Sequence, residues 1–256
     1  MAELESLEGS PLMPASKSER LVLRYKTPLV QVSLVGLICF CCPGMFNALS
    51  GLGGGGQLDP TTADNANTAL YACFAVFGVL GGGVHNLLGP RWTLLIGALT
   101  YRLYAASFLY YNHRRSQAFP VAAGALLGVG AGLLWAAQGA IMTSYPPPNR
   151  RGTYISLFWC LFNLGGVLGG LLPFGLNYNR GSDAASVNDG TYIAFMAFML
   201  VGAALTLLVL PPRRIDGTRV ITYSSSPTAE LTEILALFAN WKMLLVLPAA
   251  WSTYIV

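Results

Sequence analysis

The chain has 256 residues, of which 54% are hydrophobic and 10% are charged, and its formal net charge is +4. A soluble domain carries about 25% charged residues, so this composition indicates a protein whose main partner is the lipid bilayer. The small net charge, without a basic stripe interleaved with aromatic residues, argues against nucleic-acid binding.

Six apolar runs are long enough to cross a membrane, which takes about 20 apolar residues as a helix. We therefore predict an all-α transmembrane bundle with the spans Pro28–Leu49, Ala69–Leu88, Trp92–Tyr111, Pro120–Met142, Gly152–Leu176 and Thr191–Leu210. A seventh run, Trp241–Val256, would reach only about 24 Å as a helix and is predicted to be an incomplete seventh span.

The polar segments divide the chain into a tail (residues 1–27), a six-helix lobe (28–211), a loop (212–240) and the incomplete helix (241–256). Cytoplasmic loops of membrane proteins are enriched in lysine and arginine. A multi-pass topology with a cytoplasmic N-terminus places eleven of these residues inside and three outside. Those inside are Lys17, Arg20, Arg24, Lys26, Arg91, Arg150, Arg151, Arg213, Arg214, Arg219 and Lys242, and those outside are Arg114, Arg115 and Arg180.

The pentapeptide Gly-Val-Leu-Gly-Gly occurs twice, at Gly78–Gly82 in the second span and at Gly166–Gly170 in the fifth. These spans are equivalent if the six helices form two inverted three-helix repeats, as in many transporters. Small residues four positions apart let helices approach closely in lipid. Such faces serve either static packing or sliding during gating, and the sequence leaves both interpretations open.

Polar side chains within the spans suggest a substrate cavity. No Asp or Glu lies within the six spans, which gives no sign of a proton-coupling site, and Arg102 stands near the middle of the third. Asn47, Gln138 and Asn163 are neutral, and Trp135 shares a helix face with Gln138. We predict that these five residues line the cavity. The alternatives are a structural role for the arginine and interhelical hydrogen bonds for the amides.

The sequence does not predict an enzyme. It contains no nucleophile–base pair, no phosphate-binding loop and no set of metal ligands, so we expect no catalytic residue, no metal site and no cofactor. The glycine-rich segment Gly53–Gly56 is followed by Gln57 rather than by Gly-Lys-Ser, and is interpreted as a flexible loop.

The turn between the second and third spans, from Gly82 to Leu94, resembles the cytoplasmic signature of the major facilitator superfamily. Gly82, Gly89, Arg91 and Leu94 match that signature, whereas Asn86 stands where the family has an acid. The resemblance implies a transporter-like fold in which Gly82, Asn86, Gly89 and Arg91 form a gating turn. Gating through the charge of an acid is not expected here.

Three further stretches look like the fungal branch of the uncoordinated-ninety-three-like membrane proteins (the DUF895-type group). They are Pro43–Leu49 together with Gly51–Gln57, Trp135–Ile141 and Phe162–Val167. The similarity covers roughly residues 25–256 and corresponds to the N-terminal half of such proteins, that is, to one lobe of a two-lobed fold.

The leading functional prediction is transport of an unknown small solute, bound near the bilayer midplane between two six-helix lobes. The second lobe would then be a partner of this chain. One alternative is a regulator or trafficking partner of another membrane protein, such as a channel or receptor, that does not itself transport. Another is an inactive truncated product. Fold resemblance alone does not choose among them.

Overall fold

The computed structural model describes residues 24–57, 60–178, 187–215, 232, 235–236 and 239–252, with side chains up to residue 246. The described part is helical and contains no strand, which confirms the all-α fold class. Its helices are α1 (Pro28–Cys39), α2 (Met45–Gly51), α3 (Thr61–Arg114), α4 (Ala118–Ser144), α5 (Arg151–Asn177), α6 (Asp189–Thr206) and α7 (Trp241–Ser252).

The first span consists of α1 and α2, joined by a π-helical turn at Phe40–Gly44 that contains Pro43. Proline has no N–H to donate to the helical ladder, so the backbone is already interrupted at this point. Wide turns of this kind inside helices often mark functional sites. The turn brings Pro43 to the wall of the cavity described below.

Helix α3 has 54 residues and contains a sharp reversal at Gly89, whose φ of 75° and ψ of 170° favour glycine. Its first arm (residues 61–88) and second arm (residues 90–114) lie side by side, since the Tyr104 hydroxyl donates to Asn67 Oδ1 at 2.9 Å. Each arm is about 40 Å long, enough for one crossing. The five helices of the described chain that are long and apolar enough to cross a membrane therefore provide six crossings.

The helix ends differ from the hydropathy prediction. Helix α3 begins at Thr61, well before Ala69, because hydropathy marks only the part in hydrocarbon, whereas the helix continues through polar residues such as Asp64. The predicted seventh helix is present as α7, and its residues 253–256 lie outside the described part. Residues 1–23 of the predicted tail and most of the predicted loop 212–240 also lie outside it.

Glycines bring the helix backbones into direct contact. A methyl group at Gly124 would overlap the Ala66 carbonyl of the first arm, and one at Gly128 would overlap the Leu70 carbonyl. On the other side of the bundle, a methyl group at Gly44 would lie 2.9 Å from Gly165 Cα in α5. Helix α4 is thus seated on the first arm of α3, and the first span is seated on α5.

These contacts follow the predicted inverted repeat. Gly81 and Gly169 hold the fourth position of the two identical pentapeptides; Gly81 packs on α4 and Gly169 packs on α2. Gly97 in the second arm also packs on α4, and Gly202 in α6 packs on the first span. Exchanging spans one to three with spans four to six converts each contact into the other, which supports two related three-helix units.

Candidate functional site

Five of the six crossings surround a cavity of about 710 Å³. Tyr101 and Ala131 contribute from near the middle of the second arm of α3 and of α4, which places the cavity away from both helix ends. The full lining consists of Pro43, Phe46, Asn47, Leu70, Tyr71, Phe74, Tyr101, Leu127, Ala131, Trp135, Trp159 and Phe162. A space of this size accommodates a drug-sized organic molecule.

Seven of the twelve lining residues are aromatic. The Trp135 ring centroid lies 5.5 Å from that of Phe162, edge-on, and 6.4 Å from that of Trp159, with an angle of 29° between the two indole planes. Across the cavity, the Phe46 and Tyr101 rings lie 5.8 Å apart in an edge-to-face arrangement. These contacts hold the aromatic rings in place against one another.

Among the described residues that line the cavity, none has an acidic, basic or histidine side chain. Its polar groups are the Asn47 amide, the two tyrosine hydroxyls and the two indole N–H groups. Such a surface offers a ligand apolar contact, ring stacking and a few hydrogen bonds, but no counter-ion.

The cavity is closed on one side and open on the other. Tyr101 is 2% exposed and Leu127 is fully buried, whereas Tyr71 is 59% exposed and Trp159 is 46% exposed. The open side therefore lies between the first arm of α3 and α5, the helices that carry the two exposed rings.

The structure brings together two of the five predicted cavity residues, Asn47 and Trp135. Gln138 is half-buried one turn beyond Trp135 and does not line the space. Asn163 is exposed, and its side-chain amide donates to the Trp159 carbonyl at 2.8 Å, which turns it back along its own helix.

Arg102 also lies outside the cavity lining. Arg102 directly follows Tyr101, and neighbouring residues on a helix point about 100° apart. Tyr101 lies on the buried face of the helix, and Arg102 lies on the outer face. A long arginine side chain on an outer face can extend toward the membrane surface.

The sequence prediction missed most of the aromatic residues because it followed polar residues. A detectable signal was present: aromatic residues three apart recur in three spans, and residues three apart share a helix face. The pairs are Tyr71 and Phe74, Tyr101 and Tyr104, and Trp159 and Phe162.

The predicted gating turn contacts the end of α6. Beyond the last residue of a helix the backbone carbonyls lack helical partners and attract cations. Arg91 Nε donates to the Val209 carbonyl at 3.2 Å, and the Tyr145 hydroxyl donates to the Leu210 carbonyl at 2.7 Å. The Leu210 N–H donates to Gln31 Oε1 at 2.9 Å. Residues from α1, from the α3 turn and from the end of α4 thus all bind the backbone just beyond the end of α6.

The predicted gating turn also contains Gly82, Asn86 and Gly89. Asn86 is half-buried, and Gly82 faces open space. Thr93 Oγ1 donates to the Gly89 carbonyl at 2.8 Å and so fixes the start of the second arm.

A different polar network joins the helices at the opposite end of the bundle. The Gln57 amide donates to Asn112 Oδ1 at 2.6 Å and to the Tyr192 hydroxyl at 2.9 Å. Asp189 accepts from the Asn112 amide at 2.9 Å and pairs with His113, also at 2.9 Å. The glycine-rich loop, the end of α3 and the start of α6 are thereby connected.

Comparison with known proteins identifies the family. The family model described as ion channel regulatory protein UNC-93 matches residues 57–253. The chain belongs to the UNC-93 family. Together with the apolar helices, this membership shows an integral, multi-pass membrane protein. The cytoplasmic N-terminus stays a prediction.

Two similar UNC93-like proteins come from a plant and from a fungus. The chain is 62% identical over 243 residues to UNC93-like protein 1 of Arabidopsis thaliana, covering 93% of this chain and 52% of the relative. It is 43% identical over 236 residues to UNC93-like protein C922.05c of Schizosaccharomyces pombe, covering 90% and 46%. The placement in a fungal branch is not confirmed by these identities.

The chain is also 30% identical over 184 residues to multidrug resistance protein MdtH of Aeromonas salmonicida, covering 70% of this chain and 41% of the relative. In each of these three comparisons, the chain spans about half the length of the relative or less.

Proposed function

We propose that this chain forms one lobe of a major-facilitator-type transporter of a small organic solute. The aromatic cavity carries the proposal, because transporters of this architecture bind their solute near the bilayer midplane. The inverted-repeat contacts of the glycines support the same architecture. So does the similarity to a relative named for multidrug resistance. Within the cavity, Asn47 supplies the amide and Trp135 the central ring.

A second six-helix lobe would cover the open side of the cavity. The first arm of α3 and α5 expose most of their surface, and a methyl group at Gly82, Gly166 or Gly170 would meet open space. Small residues on such faces permit close approach of another helix. The length of the relatives, about twice that of this chain, provides room for such a lobe.

The gating turn would control the cytoplasmic end of the cavity. Gly89 allows the reversal between the arms of α3, and Arg91 ties the second arm to the end of α6. Opening toward the cytoplasm would break this contact between the second arm and the end of α6. Gly82 and Asn86 lie at the end of the first arm that would then move.

Reconstitution into vesicles tests transport. One preparation holds the 256-residue chain alone, and a second holds a chimera in which the chain replaces the matching half of UNC93-like protein 1 of Arabidopsis thaliana. We expect time-dependent solute uptake by the chimera, with loss of uptake in its Trp135→Ala variant. Absence of uptake for neutral, cationic and anionic solutes alike would contradict transport.

Regulation of another membrane protein is the second candidate, favoured by the description of the matching family as an ion channel regulatory protein. Its distinguishing result is a channel or receptor that co-purifies with the chain while the chimera shows no flux. An inactive product would show neither flux nor a partner.

A further inference from the structure

We infer that the cavity binds flat, apolar organic molecules that carry no negative charge. The inference deepens the proposed function, since it assigns a ligand class to the same cavity. It concerns binding alone, however, and binding can be measured whether or not flux occurs.

The shape of the lining selects flat, apolar molecules. The Trp135 and Trp159 rings are stacked with an angle of 29° between their planes, and the Phe162 ring stands edge-on to Trp135. A planar ligand can stack on one indole while its edge meets a neighbouring ring, as aromatic groups prefer. The aliphatic contribution of Leu70 and Leu127 extends this apolar surface.

The uncharged aromatic surface of the described lining disfavours anions. An anion entering this cavity would lose its hydration, and the twelve described lining residues offer no basic side chain to compensate. The faces of aromatic rings are negatively polarised, so they repel an anion and attract a cation. Arg102, the nearest basic residue in sequence, lies on the outer face of its helix and does not line the space.

Three probes of the same planar shape test the inference: acridine, which is neutral, N-methylacridinium, which is cationic, and acridine-9-carboxylate, which is anionic at pH 7.5. Binding to the purified 256-residue chain in nanodiscs is measured by equilibrium dialysis, with empty nanodiscs subtracted. The neutral and cationic probes should each bind about tenfold more tightly than the anion. The inference is overturned if the anion binds as tightly as either of them, or if no probe binds above the empty nanodiscs.

Two variants assign the binding to the cavity. Trp159→Ala should weaken acridine binding by about tenfold through loss of ring contact. Trp92→Ala should leave it unchanged, because Trp92 is 55% exposed and lies outside the lining. Equal effects of the two substitutions would overturn the assignment.

Asn47→Lys places a cation beside the cavity at an exposed position that tolerates a larger side chain. It should raise the affinity for the anionic probe by about tenfold and lower that for N-methylacridinium. Unchanged affinities for both would overturn the inference. Correct ordering of the probes without vesicle uptake would refute transport alone, and uptake of anions would refute the ligand class alone.

Discussion

Two faces of helix α4 contrast sharply. Gly124, Gly128 and Gly132 lie four residues apart on the face that meets the first arm of α3, and they leave no room for a side chain. Leu127 and Ala131, which directly precede the second and third of these glycines, lie on the face that lines the cavity. The glycine face fixes the position of the helix, and this leaves the neighbouring face free to shape a binding space.

The two faces of α4 should therefore respond differently to substitution, one through the stability of the fold and the other through ligand binding. Substitutions on the glycine face should destabilise the fold, because a methyl group there meets backbone that cannot move aside. Substitutions on the cavity face meet open space and should change ligand affinity more than folding.

The largest expected effect is that of Gly128→Ala, which places a methyl group against the Leu70 carbonyl and 2.7 Å from Cys73 Cβ. We expect the free energy of unfolding to fall by about 3 kcal/mol, measured by denaturation in detergent. Gly139→Ala, on the same helix with nothing within 4 Å, is the matched control and should be neutral. Equal stability of the two variants would show that close packing at the glycine face does not fix the position of α4.

Gly89→Ala should lower the free energy of unfolding by about 2 kcal/mol, because φ of 75° with ψ of 170° strains any residue with a side chain. Gly82→Ala, in the same motif but helical and facing open space, should retain full stability. A neutral Gly89→Ala in thermal melts would mean that the reversal does not require this backbone conformation.

Arg91→Gln should cost about 1 kcal/mol, since it removes the charged donor to the Val209 carbonyl at a half-buried site. Arg150→Gln, an exposed arginine on the same end of the bundle, is the control. Hydrogen exchange of the residues around Val209 should accelerate only in the first variant. Unchanged exchange there would show that Arg91 does not hold the end of α6.

The smallest expected effect is that of Arg102→Leu. On the outer face of the span, its loss should change the free energy of unfolding by about 0.5 kcal/mol or less and leave acridine binding unchanged. A loss of acridine binding in this variant would show that Arg102 contributes to the cavity, and would contradict its assignment to the outer face.

The sequence predicts the helices well because lipid imposes long apolar runs. The break at Gly89 falls within the turn predicted between the second and third spans. The sequence predicts the lining of the candidate cavity less completely, since two of the five predicted residues belong to it. The polarity of Asn163 and Arg102 within apolar spans predicts a cavity position for both, yet hydrophobicity does not show which face of a helix turns inward. The cavity is built mainly from aromatic residues such as Tyr71 and Trp159. Aromatic residues occur both in binding sites and on lipid-facing surfaces, so their presence in a span does not distinguish the two.

The most direct test of the account is uptake of N-methylacridinium by vesicles containing the chimera, comparing Trp159→Ala with Trp92→Ala. The account predicts uptake that falls by about tenfold in Trp159→Ala and stays unchanged in Trp92→Ala, with similar unfolding of both proteins. Uptake that is equal in the two variants would contradict the central claim that the solute passes through the aromatic cavity of this lobe.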